Sequence, residues 1–376
     1  MGEWYEQNHR ILPWRETDDP YKIWISEIIL QQTRVAQGME YYHRLVTRFP
    51  DIQSLADAEE DEVLLYWQGL GYYSRARNLH KAAQLMKNHE IFHQAMRRLG
   101  DEAIRLLGDK ARGEKEGDEA RRRKAKGEEE GDEARRRKVK GEEIFAALKS
   151  MPGVGDYTAG AIASFAFDLP YPALDGNVYR VLSRLYDCEI AFDTTQGKKH
   201  FRQLAEELLD REHPRLFNSA IMELGALHCV PTAPDCHTCP LNTWCKALAN
   251  NTVELLPVRK PRPKVRDRYL EYTIYITPEK TTLIHQRKVN DIWKHLWEFV
   301  CAERTGEEAI RRKVKGEETL ELTHVLSHQK LHARFVIKNV PELPDIPNTL
   351  VVSLNDLDNY AFSRLTLKAI EFLAQR

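Results

Sequence analysis

The sequence has no long hydrophobic run, no leader-like N-terminal stretch and almost no net charge. Without roughly 18 consecutive apolar residues there is no candidate membrane-spanning helix. Without a basic, then apolar, then small-residue opening there is no secretory signal, so the chain reads as intracellular and cytoplasmic. A formal net charge of -1, from 56 basic and 57 acidic residues, excludes a uniformly cationic nucleic-acid binder. Any such affinity must come from local patches and backbone donors. Cysteine is sparse, six residues in 376, and a reducing compartment argues against disulfides among them. The length nevertheless allows two domains, each with its own core.

Up to about residue 250 the apolar residues recur at helical spacing. Ile23 to Leu30, Asp61 to Trp67, Ala159 to Phe167, Val178 to Tyr186 and Phe201 to Leu209 are predicted helices, punctuated by Pro, Gly and Asp. From Tyr269 onward the pattern becomes short β-rich runs, Tyr269 to Ile276, Thr281 to His285, Ala333 to Ile337 and Thr349 to Val352, closed by a helical stretch from Arg364 to Ala374. The expected architecture is multidomain: a mostly α-helical domain at 1–250, a linker at 251–268 and an α/β domain at 269–376. Within that linker, Val258 to Arg268 holds six basic residues and two prolines, suited to an extended segment that either lies along phosphates or is simply solvated.

One polar phrase occurs at 116–129 and 130–143, and a close copy returns at 306–318. Pairs such as Glu119 with Arg123 support exposed helices, but nothing in the phrase builds a core. The same phrase in two different domains has no shared structural reason. The segment at about 101–143 therefore reads as a charged insert replacing an ordinary loop, and not as a DNA patch or localisation signal.

Two features carry chemistry. Cys229, Cys236, Cys239 and Cys245 are spaced C-x6-C-x2-C-x5-C. A single short knuckle with two more distant outer ligands suits a [4Fe-4S] cluster better than structural zinc, which favours two short knuckles. Cys188 and Cys301 are isolated and read as small buried residues. Upstream lies Met151-Pro152-Gly153-Val154-Gly155 at the mouth of a helix. Gly153 and Gly155 bracket one small apolar residue, so that backbone N–H groups can hold a phosphate without reading sequence. Together the two features point to a helix-hairpin-helix protein acting on DNA.

Longer strings sharpen this. Leu12-Pro13-Trp14-Arg15, Trp24 to Thr33, Gly69 to Arg75, Met151 to Gly155, Leu174 to Val178 and the cysteine loop resemble the MutY adenine DNA glycosylases of the endonuclease III superfamily. The resemblance implies base excision repair: removal of adenine mispaired with 8-oxoguanine or guanine in double-stranded DNA, leaving an abasic site. It implies Glu27 as the acid that protonates adenine, and Asp175 as the carboxylate facing the oxocarbenium-like sugar. Two carboxyls in different environments are what N-glycosidic cleavage needs. Apolar neighbours are expected to keep Glu27 protonated, and a helix start near Asn177 to keep Asp175 ionised. Tyr157 stands where bifunctional relatives carry a Schiff-base lysine, so a monofunctional enzyme is expected, with Tyr157 and Asn177 positioning Asp175 and the sugar. The resemblance further implies Gln32 and Tyr72 as side chains inserted into the duplex, Thr33 and Leu70 against 8-oxoguanine, and Arg15 lining the adenine pocket.

The C-terminal stretch resembles the Nudix-like 8-oxoguanine recognition domain of that family, through Gln286 to Lys288, Asp291 to Val300 and His324 to His328. Leu326 replaces the usual Phe, which removes an aromatic ring from the loop and leaves Ser327 and His328 as its polar contacts. No hydrolytic Nudix arrangement is present, so pyrophosphatase activity is not expected. A bifunctional glycosylase-lyase for oxidised pyrimidines and a noncatalytic iron-sulfur DNA-binding protein are the alternatives, disfavoured by Tyr157 and by the two carboxylates respectively. The implied setting is a monomer on the bacterial nucleoid.

Overall fold

The computed structural model describes residues 1–87, 141–261, 264–288, 291–306 and 318–375. The repeats at 116–129 and 130–143, apart from 141–143, lie outside the described residues, as does 306–318 apart from its two end residues. Two compact units are present. The first comprises Met1–Gln32, Asp51–Gln53 and Lys81–Lys260, and the second comprises Thr33–Pro50, Ser54–His80 and Pro261–Arg376.

The first unit is helical. Its elements include Pro20–Leu30, Asp156–Phe167, Gly176–Tyr186, Thr195–Leu208 and Pro214–Leu227. Val178, Val181 and Leu182 pack against Phe201, Ala205, Ile221 and Leu224, so the spacing seen in the sequence becomes one buried stripe per helix. A smaller cluster joins Ile23 to Ala161, Phe165 and Ala173, and sets the helix Pro20–Leu30 against Asp156–Phe167. Among the described residues no helix is long and apolar enough to cross a membrane.

The second unit joins helices Val35–Arg48 and Glu60–Trp67 to a six-stranded mixed sheet. Its strands are β1 Arg266–Ile276, β2 Thr281–Gln286, β3 Trp297–Arg304, β4 Glu318–Val325, β5 Gln329–Asn339 and β6 Leu350–Ser353, in the order β4-β5-β1-β3-β2-β6. β1 and β5 run parallel, and the other neighbouring pairs are antiparallel. Arg268, Leu270, Tyr272 and Ile274 alternate onto the buried face of β1, where Tyr272 stacks on Phe335 with ring centres 4.5 Å apart. The helix Arg364–Ala374, capped by the Ser363 hydroxyl, lays Leu365 and Ala369 on that core. The sequence pattern misses two strands, β3 and β4, the second of which begins at the edge of the charged phrase.

Candidate active site

Glu27 is drawn inward by the helix that carries it. The Asp19 carboxylate caps that helix by accepting from Tyr21 N at 2.9 Å and Lys22 N at 3.4 Å. Pro20 suits the first helical position, where its missing N–H would have no partner anyway. Tyr21, Ile23, Trp24, Ile25, Ile28 and Ile29 bury almost the whole circumference, and the Glu27 side chain is 0% exposed. The carboxyl group itself is polar on both sides. Arg15 Nη1 donates to Oε1 at 3.2 Å and the Tyr157 hydroxyl donates to Oε2 at 2.6 Å. Arg15 is fixed in turn by Phe165, whose ring centre lies 3.7 Å from the guanidinium carbon.

Burial pushes the Tyr157 phenol well above its ordinary range, and the charges of Glu27 and Asp175 push it the same way. Tyr157 therefore keeps its proton and acts as a donor. Asp175 is the N-cap of the helix Gly176–Tyr186. Its Oδ1 accepts from the backbone N–H groups of Asn177 and Val178, both at 2.8 Å, and its Oδ2 accepts from Asn177 Nδ2 at 2.9 Å. These bonds favour the carboxylate, as the helix start suggests. Burial outweighs them, however, and with the charge of Glu27 it holds Asp175 above the ordinary carboxylate range.

A part-buried chain of hydrogen bonds leads from Asp175 to the cysteines. Asn177 Oδ1 accepts from Arg180 Nη2 at 2.9 Å, while Arg180 donates to Gly225 O at 2.5 Å and to Cys229 O at 2.7 Å. One turn further along, Arg184 donates to Val230 O at 2.7 Å, Pro231 O at 3.0 Å and Cys229 Sγ at 3.4 Å. Buried guanidinium groups must find such partners. Gly225 permits the arrangement, since a Cβ there would sit 2.7 Å from Asn177 Cβ. Sequence reading overlooked Arg180 and Arg184. Their signal was a pair of arginines four residues apart in a helix whose other face builds the core.

Cys229, Cys236, Cys239 and Cys245 line one cavity, together with Arg184, Leu248 and Val253. Among the described residues, no group of three or more His, Cys, Asp or Glu is arranged to hold a metal ion. A donor set of four thiols around one small cavity fits a cluster with one thiolate per corner. The Arg184 hydrogen bond to Cys229 Sγ would offset part of the resulting charge.

Met151 and Val154 anchor the glycine turn inside, leaving Gly153 and Gly155 exposed. Gly153 takes φ +79°, the left-handed conformation that glycine adopts without a steric cost. Gln31 Nε2 donates to Gly153 O at 3.4 Å and to Thr158 Oγ1 at 3.1 Å, tying the turn to the end of the Glu27 helix. The exposed residue Gln32 has φ 57°, and Tyr72, 46% exposed, has φ 48°. Non-glycine residues in this region carry strain that often accompanies function.

In the second unit Thr33 Oγ1 accepts from Arg75 Nη1 at 3.2 Å. Leu70 is only 6% exposed, so its side chain packs inward. Ser327 and His328 are exposed in the β4–β5 turn, 3.2 Å apart from Oγ to Nδ1. Leu326 packs on the sheet core while Val325 beside it is 67% exposed. Arg268, expected in the basic linker, lies instead in β1, where Asp291 and Glu303 hold it, both at 2.7 Å.

The sequence profile of the HhH-GPD superfamily base excision DNA repair proteins matches residues 25–211, and that of the NUDIX domain matches residues 271–372. The adenine DNA glycosylase of Buchnera aphidicola subsp. Baizongia pistaciae is 31% identical over 371 residues, spanning 94% of this chain and 90% of that protein. Those of Mus musculus and Homo sapiens are each 34% identical, over 272 and 252 residues, spanning 70% and 65% of this chain and 44% and 38% of the longer mammalian proteins. The chain belongs to the MutY family of adenine DNA glycosylases.

Proposed function

We propose that this DNA glycosylase removes adenine mispaired with 8-oxoguanine or guanine, by extruding the base and hydrolysing its N-glycosidic bond without cutting the strand. The observation that carries the reading is the joining of buried Glu27 to Tyr157 at 2.6 Å, together with an Asp175 carboxylate fixed by three hydrogen bonds at the start of its helix. Glu27 delivers a proton to the departing adenine. Asp175 faces the positive charge that develops on the sugar. Tyr157 has no amine with which to form a Schiff base and stays protonated, so it orients Glu27 instead. Asn177 and the cap N–H groups fix Asp175, and Arg15 fixes Glu27 from the adenine side.

Extrusion costs a few kcal/mol, less at a mismatch. Gln32 and Tyr72, held in strained conformations, fill the gap. Gly153 and Gly155 hold a phosphate, and Thr33, Leu70 through its backbone, Ser327 and His328 read the opposite base. Cys229, Cys236, Cys239 and Cys245 would hold a [4Fe-4S] cluster, which supplies cross-linking of the loop and one-electron chemistry when bound. The setting is a monomer on nucleoid DNA in the bacterial cytoplasm.

The test compares single-turnover adenine release from duplexes carrying adenine opposite 8-oxoguanine, guanine or thymine, for the unmodified chain and Glu27→Gln. The mispairs should react faster than the thymine pair, and Glu27→Gln should lose at least about 100-fold, at the low end for a general acid. Equal rates on all three duplexes, or an active Glu27→Gln, would overturn the reading.

A further inference from the structure

The turn Gly69-Leu70-Gly71-Tyr72 is gripped from several directions inside the second unit. Gly69 has φ +93°, and a Cβ there would lie 2.5 Å from the Tyr41 hydroxyl. That hydroxyl donates to Gln68 O at 2.8 Å. Gly71 O accepts from Trp67 Nε1 at 3.0 Å and Arg75 Nη2 at 3.1 Å. The remaining hold comes from far along the sequence. The Tyr73 hydroxyl, in a residue only 4% exposed, accepts from Gly69 N at 3.1 Å and donates to Phe362 O at 3.2 Å. Gln68 Oε1 accepts from Phe362 N at 2.7 Å.

Both backbone polar groups of one residue are thus satisfied by side chains that flank the turn. Phe362 is a fixed anchor. Its ring is 1% exposed in the sheet core near Phe299, and the preceding Ala361 O accepts from Trp297 N at 2.8 Å.

We propose that Tyr73 and Gln68 are positioning residues through which the C-terminal core sets the conformation of the Gly69–Tyr72 turn, and so aims the Tyr72 side chain at the DNA. The inference rests on the function proposed above. Phe362 clamps Gln68 and Tyr73, and Tyr73 clamps Gly69, so Tyr72 is held in its left-handed conformation by the same domain that reads the lesion. A Tyr72 free to relax would spend most of its time in an ordinary backbone well.

The test is a mutant cycle on the full-length chain, with single-turnover adenine release opposite 8-oxoguanine as the readout and thermal unfolding measured alongside. Tyr73→Phe keeps the ring and removes the shared hydroxyl. It should slow release by about tenfold, the scale of one lost buried hydrogen bond. In a Tyr72→Ala background the same change should matter less than twofold, because no wedge remains to be aimed. Gln68→Met, which removes the other contact to Phe362, should behave the same way.

A merely structural role for Tyr73 would give the same loss in both backgrounds. That outcome, or an unaffected Tyr73→Phe and Gln68→Met, overturns the inference while leaving the function intact. If the unmodified chain releases no adenine, the functional reading itself fails.

Discussion

Asn177→Ala isolates one link between fold and chemistry. Asp175 Oδ1 would keep its two backbone hydrogen bonds at 2.8 Å, so the helix cap survives. Oδ2 would lose the 2.9 Å bond from Asn177 Nδ2, and Arg180 would lose an acceptor. A hydrogen bond to a charged group contributes about 1.5–3 kcal/mol. If Asp175 acts as a carboxylate against the charged sugar, the loss corresponds to a single-turnover rate lower by about 10- to 100-fold. The pH profile should move too. Hydrogen bonds from Asn177 lower the Asp175 pKa against the larger effect of burial, so removing one raises it further. If the rate needs ionised Asp175, the acid limb should shift to higher pH. The assay is single-turnover release across pH on a mispaired duplex, with thermal unfolding as a control. A rate within twofold of the unmodified chain and an unmoved acid limb would refute the role given to Asn177.

Other substitutions test the frame around the site. Glu223 grips Arg10 through both carboxylate oxygens, at 2.6 and 2.8 Å. Burial pushes the Glu223 pKa up, but the hydrogen bonds and charge of Arg10 more than reverse this and leave it lowered. The pair's stabilisation is therefore present above the unfolded-state carboxylate pKa and disappears as pH falls through the folded one. Arg10→Met should cost about 2 kcal/mol at pH 7, less than a fully buried pair because Arg10 is 36% exposed. The gap in Tm from the unmodified chain should narrow in acid, and a constant gap would count against it. Gly225→Ala places a methyl group 2.7 Å from Asn177 Cβ. It should cost about 1–3 kcal/mol by overpacking and slow adenine release; an unchanged rate would show that the close approach is irrelevant to Asp175. Phe335→Ala opens the sheet core beside Tyr272 and should cost about 3–5 kcal/mol, measured by denaturant unfolding.

Much of this is legible in the sequence. The helical periods from Ile23 to Leu209 and the alternation from Tyr269 to Ile276 translate directly into helices and a strand, because each needs only local spacing and one buried face. Glu27 is legible as a candidate acid only through the family resemblance, since its neighbours alone also suit a solvated helix residue. What local spacing does not carry is the identity of long-range partners. The Arg15 and Tyr157 contacts to Glu27 join residues 12 and 130 positions apart. The grouping of Thr33–Pro50 and Ser54–His80 with the sheet rests on contacts such as Gln68 to Phe362, separated by 294 positions. The net upward shift of Asp175 is a balance between burial and hydrogen bonds, and a sequence reveals only the helix start.

Strand breakage with and without alkali tests the central claim most directly, on a duplex with one adenine opposite 8-oxoguanine and an excess of the purified chain. The account predicts free adenine in solution and breakage only after alkali, the mark of an abasic site left intact by an enzyme with a phenol where a lysine would act. Breakage without alkali, or intact DNA despite tight binding, would contradict it.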